Sequence, residues 1–188
     1  MQYHYFLMNK KAGEVCSHVS DSHLTVYSRF QPDLLESNGA RLHTIGRLDC
    51  DTEGLLLFTN DGKLSDFLTR PENQIEKTYF VTLKNPVTEA QKEEYVFCAS
   101  EGVILLPEKK APEQKSKGAK IVWLSDKECE ITLSEGKFHE VKRIFHALGN
   151  EVIYLKRIKF AGLLLDENLK AGEWRLLSEE EIFNLRKR

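Results

Sequence analysis

Gly46-Arg47-Leu48-Asp49-Cys50-Asp51-Thr52-Glu53-Gly54-Leu55-Leu56-Leu57-Phe58-Thr59-Asn60-Asp61-Gly62 is the most legible stretch of this 188-residue chain. Leu55 to Thr59 is a continuous apolar run of strand length, and a run without polar alternation is expected to be buried on both faces. Asn60-Asp61-Gly62 is a turn signal that ends it. The first half is a glycine-bounded loop carrying three carboxylates, Asp49, Asp51 and Glu53. Reactive side chains tend to sit on loops anchored to rigid strands. Taken alone, one acidic loop is usually a solvated turn. A glycosidase-like carboxylate pair is disfavoured, because alternate residues of an extended loop point apart. A metal site is disfavoured because no histidine or further acidic cluster joins them.

Upstream, Tyr3 to Met8 reads as a strand ended by Asn9-Lys-Lys-Ala-Gly13. Residues 17–40 are polar and irregular, a loop with some short helix, and Arg41 to Ile45 leads into the acidic loop. Downstream, a short helix through Leu64 to Leu68 is stopped by Pro71. Lys77 to Leu83 is a strand with Tyr79, Val81 and Leu83 on one face. Thr88 and Gln91 form a capping-box pattern that opens a helix to about Ala99. Residues 107–118 are charged and apolar-poor and read as a mobile loop. Lys120–Leu124 and Glu128–Leu133 read as a hairpin, Ile158–Leu165 and Glu173–Leu177 as strands, and Ser178 to Glu181 as the cap of a last helix. The expected class is α+β, a mostly antiparallel sheet with flanking helices and loops. One domain over 1–188 is expected, with two lobes as its variant form.

A helix starting near Lys137 places Val141, Ile144, Phe145 and Leu148 on one apolar stripe and Gly149 at its C-terminal cap. His139, Lys142, Arg143 and His146 then share the polar side. The formal net charge is -2, which alone does not suggest nucleic acid. The basic residues cluster, however: Lys137, Lys142, Arg143, Lys156, Arg157 and Lys159 are opposed within 137–160 only by Glu140 and Glu151. A basic face on a neutral body can bind phosphates. Cys16, Cys50, Cys98 and Cys129 form no CxxC pair, and free thiols in a reducing cytosol account for them. The apolar patch from Tyr5 to Met8 is too short for a signal peptide, and no run approaches membrane-spanning length. A soluble, cytoplasmic protein is expected, and a monomer, since no exposed apolar stripe is evident.

The stretch 46–62 resembles the signature of the RsuA-type family of bacterial ribosomal RNA pseudouridine synthases. Four further blocks match in order. Tyr5-Phe-Leu-Met-Asn-Lys-Lys-Ala-Gly13 resembles the family's opening strand and turn, and Glu76-Lys-Thr-Tyr-Phe-Val81 its Lys-x-Tyr strand. Ser134-Glu-Gly-Lys-Phe-His-Glu-Val-Lys-Arg143 resembles its basic helix motif, and Leu155-Lys-Arg157 its Leu-x-Arg element. His139, the Val-Lys-Arg order and the Glu-Lys-Thr-Tyr strand look closest to the small-subunit branch.

The resemblance implies that Asp49 is the catalytic aspartate and that Tyr79 packs against the target base. It also implies that Lys142 or Arg143 forms a salt bridge to the aspartate, with alignment to the wider superfamily favouring Lys142. Arg47, Lys77, His139 and Arg157 are the implied RNA-binding cations. The chemistry fits: a carboxylate nucleophile splits the exchange of an N1–C1′ for a C5–C1′ bond into easier steps. A nearby cation favours its ionised form. The target base must leave the stack, and an aromatic can receive it. No redox step or group transfer occurs, so neither cofactor nor metal is expected.

The implied partner is ribosomal RNA or an assembling subunit, most simply the small one. A large-subunit target and a non-catalytic RNA-binding assembly module are the alternatives. Three departures stand out. Lys11 replaces the family's usual proline, and Glu140 replaces a usual glutamine, which would weaken a phosphate contact there. The chain also opens directly at the catalytic domain, with no S4 RNA-binding domain expected.

Overall fold

The computed structural model describes residues 2–37, 39–109 and 111–187; Asn38 and Lys110, which fall in the two expected loops, lie outside the described residues. The fold is α+β. The chain divides into two compact units, residues 1–75 with 157–188 and residues 76–156. The Val152–Phe160 strand changes unit between Lys156 and Arg157.

In the first unit the strand order is Arg157–Phe160, then Glu53–Thr59, Tyr5–Lys10 and Trp174–Leu176. Tyr5–Lys10 runs antiparallel to both neighbours, with Phe6 opposite Phe58 and Leu7 opposite Leu57. His43–Ile45 pairs antiparallel with residues 57–59 and so leads straight into the acidic loop. Leu55 to Phe58 are fully buried, as the unbroken apolar run predicts. One sheet face packs Tyr5, Leu7, Leu55 and Leu57 against Leu64, Leu68, Phe160 and Leu185. The other packs Phe6 and Phe58 against Phe30, Tyr27 and Trp174, with Phe30 and Trp174 stacked at 4.9 Å. Burying each such side chain contributes about 1.5–3 kcal/mol.

Several boundaries differ from the expectation. The first strand runs on through Asn9 and Lys10. Residues 17–40 are not merely polar loop: the 3-10 turn Val26–Arg29 buries Val26 and Tyr27, and Phe30 follows them into the core. The strand expected at 158–165 is two, Val152–Phe160 and Leu163–Leu164, because Ala161 (φ 47°) and Gly162 (φ 74°) turn the chain in the left-handed region. Gly62–Thr69 starts at Asp61, whose side chain accepts the Leu64 N–H. Glu179–Arg186 starts with the full capping box of Ser178 and Glu181.

In the second unit Lys77–Leu83 pairs antiparallel with Glu128–Leu133, which forms the hairpin with Lys120–Trp123. Glu89–Glu101 has the capping box of Thr88 and Gln91 and packs on Lys120–Trp123. Glu140–Ala147 buries Val141, Ile144 and Phe145 and ends in a Schellman motif. There Gly149 N–H donates to His146 O and Asn150 N–H to Phe145 O. Residues 107–118 carry more structure than a free loop: Gln114–Lys115 pairs with Ile104–Leu105, and Glu108 bridges Ala111.

Gly54 is the tightest point of the first unit. Its φ is +101°, and a Cβ there would lie 2.8 Å from the Arg157 backbone nitrogen and still closer to the Arg157 carbonyl oxygen. Gly54→Ala is expected to cost about 2–4 kcal/mol through overpacking and left-handed strain. Urea denaturation checks this; a cost within measurement error would show that the two strands do not approach so closely.

Candidate active site

The acidic loop is held by its backbone. Asp49 O accepts the Thr52 N–H at 3.1 Å, and Cys50 O accepts the Gly13 N–H at 2.7 Å, where Gly13 turns at φ 89°. Beneath it lies Lys10, which is 0% exposed. Its ammonium donates to the carbonyls of Thr52 (2.8 Å), Lys11 (3.1 Å) and Cys50 (3.2 Å). Burial pulls this lysine below its ordinary pKa, and its hydrogen bonds are what make a buried cation tolerable. Cys16 Sγ meets the Leu48 backbone N and O at 3.5 Å. Burial pushes that thiol up, away from the reactive thiolate form. The loop thus leaves Leu48 and Thr52 buried, Asp49 half-buried, and Arg47 and Asp51 exposed.

Arg157, expected at an RNA surface, is 1% exposed. Its Nε–H donates to Leu55 O at 2.7 Å, and its guanidinium lies 4.8 Å from the Phe160 ring centre. It braces the strand that follows the acidic loop and offers no surface to a phosphate.

The second unit holds Tyr79, Lys77, His139, Lys142 and Arg143. Tyr79 is 9% exposed, opposite Ile131 in the strand pairing. Arg143, expected on the polar side of its helix, is buried. Its guanidinium donates to the carbonyls of Leu105, Leu106, Pro112 and Phe138 at 2.9–3.2 Å. Those four acceptors satisfy the planar fork and tie residues 105–112 to the helix start. Lys142 on the same helix is half-buried. His139 sits just before the helix at φ 48°, stacks on Phe138 at 3.8 Å and meets Glu108 at 2.9 Å.

Lys77 and Lys137 gather at Glu135: Lys77 Nζ donates to its backbone carbonyl at 3.4 Å, and Lys137 pairs with its carboxylate. Glu140 also turns inward, against the expectation of an acid beside phosphates. It is buried, and its carboxyl accepts the Lys137 N–H at 2.8 Å. Burial, and then the neighbouring Glu135 carboxylate, push Glu140 up to about 8. Burial opposes ionisation of Glu135 too, but contacts with Glu140, Lys137 and the Lys117 N–H hold it below its ordinary value. A protonated Glu140 therefore stands where a neutral glutamine would serve.

Sequence reasoning missed Lys10. The available signal was a lysine placed directly after five buried residues, obscured by ending the strand at Met8. Among the described residues no three His, Cys, Asp or Glu side chains gather as a metal-binding group. No described helix is long and apolar enough to cross a membrane.

Comparison with known proteins gives the class. The family model for RNA pseudouridylate synthase matches residues 4–147. The chain belongs to the RNA pseudouridylate synthase family and is an isomerase of that class. It is similar to the protein of Haemophilus influenzae named ribosomal small subunit pseudouridine synthase A, 43% identical over 181 residues, 96% of this chain and 73% of that one. The Escherichia coli K12 protein of the same name is 41% identical over 178 residues, 95% and 72% of the two chains. A crystal structure of a pseudouridylate synthase matches with a TM-score of 0.86 at 43% identity, over 98% of this chain and 74% of that one. The archaeal Nop10–Cbf5 complex matches with a TM-score of 0.61 at 16% identity, over 91% and 52%, a likeness of fold alone.

The Glu135–Glu140 pair gives a pH test. The folded state holds the Glu140 proton up to about 8, whereas an ordinary glutamate releases it near 4.5. Stability from this group is therefore complete below that ordinary value and is lost as pH rises through the window. Glu140→Gln is expected to match the wild type near pH 4.5 and to exceed it at pH 8 by about 1–2 kcal/mol, the partner carboxylate offsetting part of the effect. Urea titrations at both pH values check this, and equal gains at the two would sink it.

Proposed function

We propose that this protein converts one uridine of small-subunit ribosomal RNA to pseudouridine, with Asp49 as nucleophile. The observation that carries the proposal is identity of 41–43% over at least 95% of the chain to proteins named for that activity. Asp49 breaks the N1–C1′ bond as a carboxylate nucleophile or by assisting elimination; the uracil turns, C5 joins C1′, the C5 proton leaves and N1 gains one. Tyr79 stacks against the extruded ring. Lys142 is the cation assigned to the Asp49 carboxylate in this reading. The four carbonyl partners of Arg143 favour Lys142 over it for that role.

Arg47, Lys77 and His139 contribute phosphate contacts. Both compact units serve one catalytic domain, which acts as a monomer in the cytoplasm. Every heavy atom of the nucleoside is retained, the C5 proton lost is matched by one gained at N1, and no net oxidation occurs, so the side chains suffice without metal or cofactor.

The test is pseudouridine mapping after incubation with unmodified small- and large-subunit RNA. The wild type is expected to produce one site, in small-subunit RNA, and Asp49→Asn none while still binding RNA. Lys142→Ala is expected to slow a single turnover about 10²–10³-fold with an unchanged melting temperature. A site in large-subunit RNA would contradict the target, and product from Asp49→Asn would contradict the nucleophile.

A further inference from the structure

The second unit carries a groove between the Glu89–Glu101 helix and the end of the Lys120–Trp123 strand. It has a volume of about 410 Å³ and is lined by Glu89, Glu93, Val96, Trp123, Leu124 and Ser125, with Lys92 at its base. Glu89, Lys92, Glu93 and Val96 fall at the i, i+3, i+4 and i+7 positions of one helix face. The wall is preformed: Trp123 Nε1–H donates to Lys92 O at 3.3 Å, and the Trp123 ring lies 5.9 Å from the Lys92 ammonium.

Its charge is one-sided. Lys92 is buried and already paired with Glu89 (2.7 Å) and Asp126 (2.9 Å), whose side chains are exposed. Glu93 adds a further exposed carboxylate. Three carboxylates against a single ammonium repel a phosphate backbone. The lining itself has exposed apolar surface: Leu124 is 53% exposed and Val96 is open, and Phe97, 66% exposed, stands one turn on from Glu93 along the helix. The sequence alone showed no such patch, because Val96 and Phe97 sit in a charged helix and Leu124 looks like the end of an alternating strand. An apolar patch inside an acidic rim is a recognition surface for a segment that is apolar and basic.

We infer that this groove docks a lysine- and arginine-rich, apolar segment of a protein that is itself bound to the substrate RNA. The nature of the partner rests on the proposed ribosomal RNA substrate, since proteins that package RNA must be basic. The groove would let the enzyme select RNA already carrying that protein, with a surface that RNA avoids.

The test replaces Phe97 with the photoreactive p-benzoylphenylalanine and irradiates the full chain with purified, RNA-free small-subunit ribosomal proteins. The expected result is a cross-link to one basic, apolar segment. The double variant Glu93→Lys/Leu124→Glu, at two exposed positions, should bind that protein at least about tenfold more weakly in a fluorescence titration. It should melt as the wild type does and modify naked RNA at the wild-type rate. No cross-link, a cross-link only to RNA or to a second copy of this chain, or unchanged binding by the variant would overturn the inference. Activity on naked small-subunit RNA is read separately, so a failure there falls on the proposed substrate and a failure of protein binding falls on the groove.

Discussion

The Lys10 ammonium and its three carbonyl partners are the constraint on which the acidic loop depends. The loop runs from Gly46 to Thr52 between two strands, and ordering each of its residues costs about 1–2 kcal/mol. Lys10 lies on a strand paired from Tyr5 to Lys10 with the Glu53–Thr59 strand and from Phe6 to Met8 with Trp174–Leu176, so its position is set by the sheet. From there it reaches Cys50 O and Thr52 O, on either side of Asp51 and just beyond Asp49. The Gly13 N–H adds a second grip on Cys50. Arg157 repeats the device one residue after Gly54, donating to Leu55 O. Two buried cations thus anchor the backbone on both sides of Gly54, just downstream of Asp49.

The same economy appears in the basic segment. Of its six cations, Arg143 and Arg157 face inward and Lys137 pairs with Glu135. Half of a cluster that reads as a phosphate-binding stripe is the scaffold's own fastening. Guanidinium suits that work because its planar fork can satisfy several carbonyls at once and is more weakly hydrated than ammonium. Glu140 completes the reversal. A carboxylate that would oppose phosphate on the surface is instead buried as the proton-holding partner of Glu135.

What could be read in advance was local. Leu55 to Thr59 announces a doubly buried strand because nothing polar interrupts it. The caps at Thr88 and Ser178 are visible because both partners lie within four residues. The acidic loop and the family resemblance together single out Asp49. The fates of Lys10, Arg143 and Arg157 were hidden because their acceptors are remote: Thr52 lies 42 residues from Lys10, and Leu55 lies 102 from Arg157. Helical angles placed Arg143 on the polar face; three of the carbonyls that bury it belong to Leu105, Leu106 and Pro112, at and just before the stretch 107–118 that read as a free loop. Composition near 26–30 looked irregular, yet its Val26, Tyr27 and Phe30 close one face of the first unit's sheet.

The central claim is that a buried lysine holds the acidic loop that carries Asp49. Native-state amide hydrogen exchange on Lys10→Met, a change that keeps the side chain's length and removes its charge, tests it most directly. The account predicts that the Thr52 and Gly13 amides, which donate to Asp49 O and Cys50 O, lose protection while amides of the Lys77–Leu83 and Glu128–Leu133 strands keep theirs. Unchanged protection at Thr52 and Gly13 would show that the loop holds its shape without the ammonium, and would contradict the account.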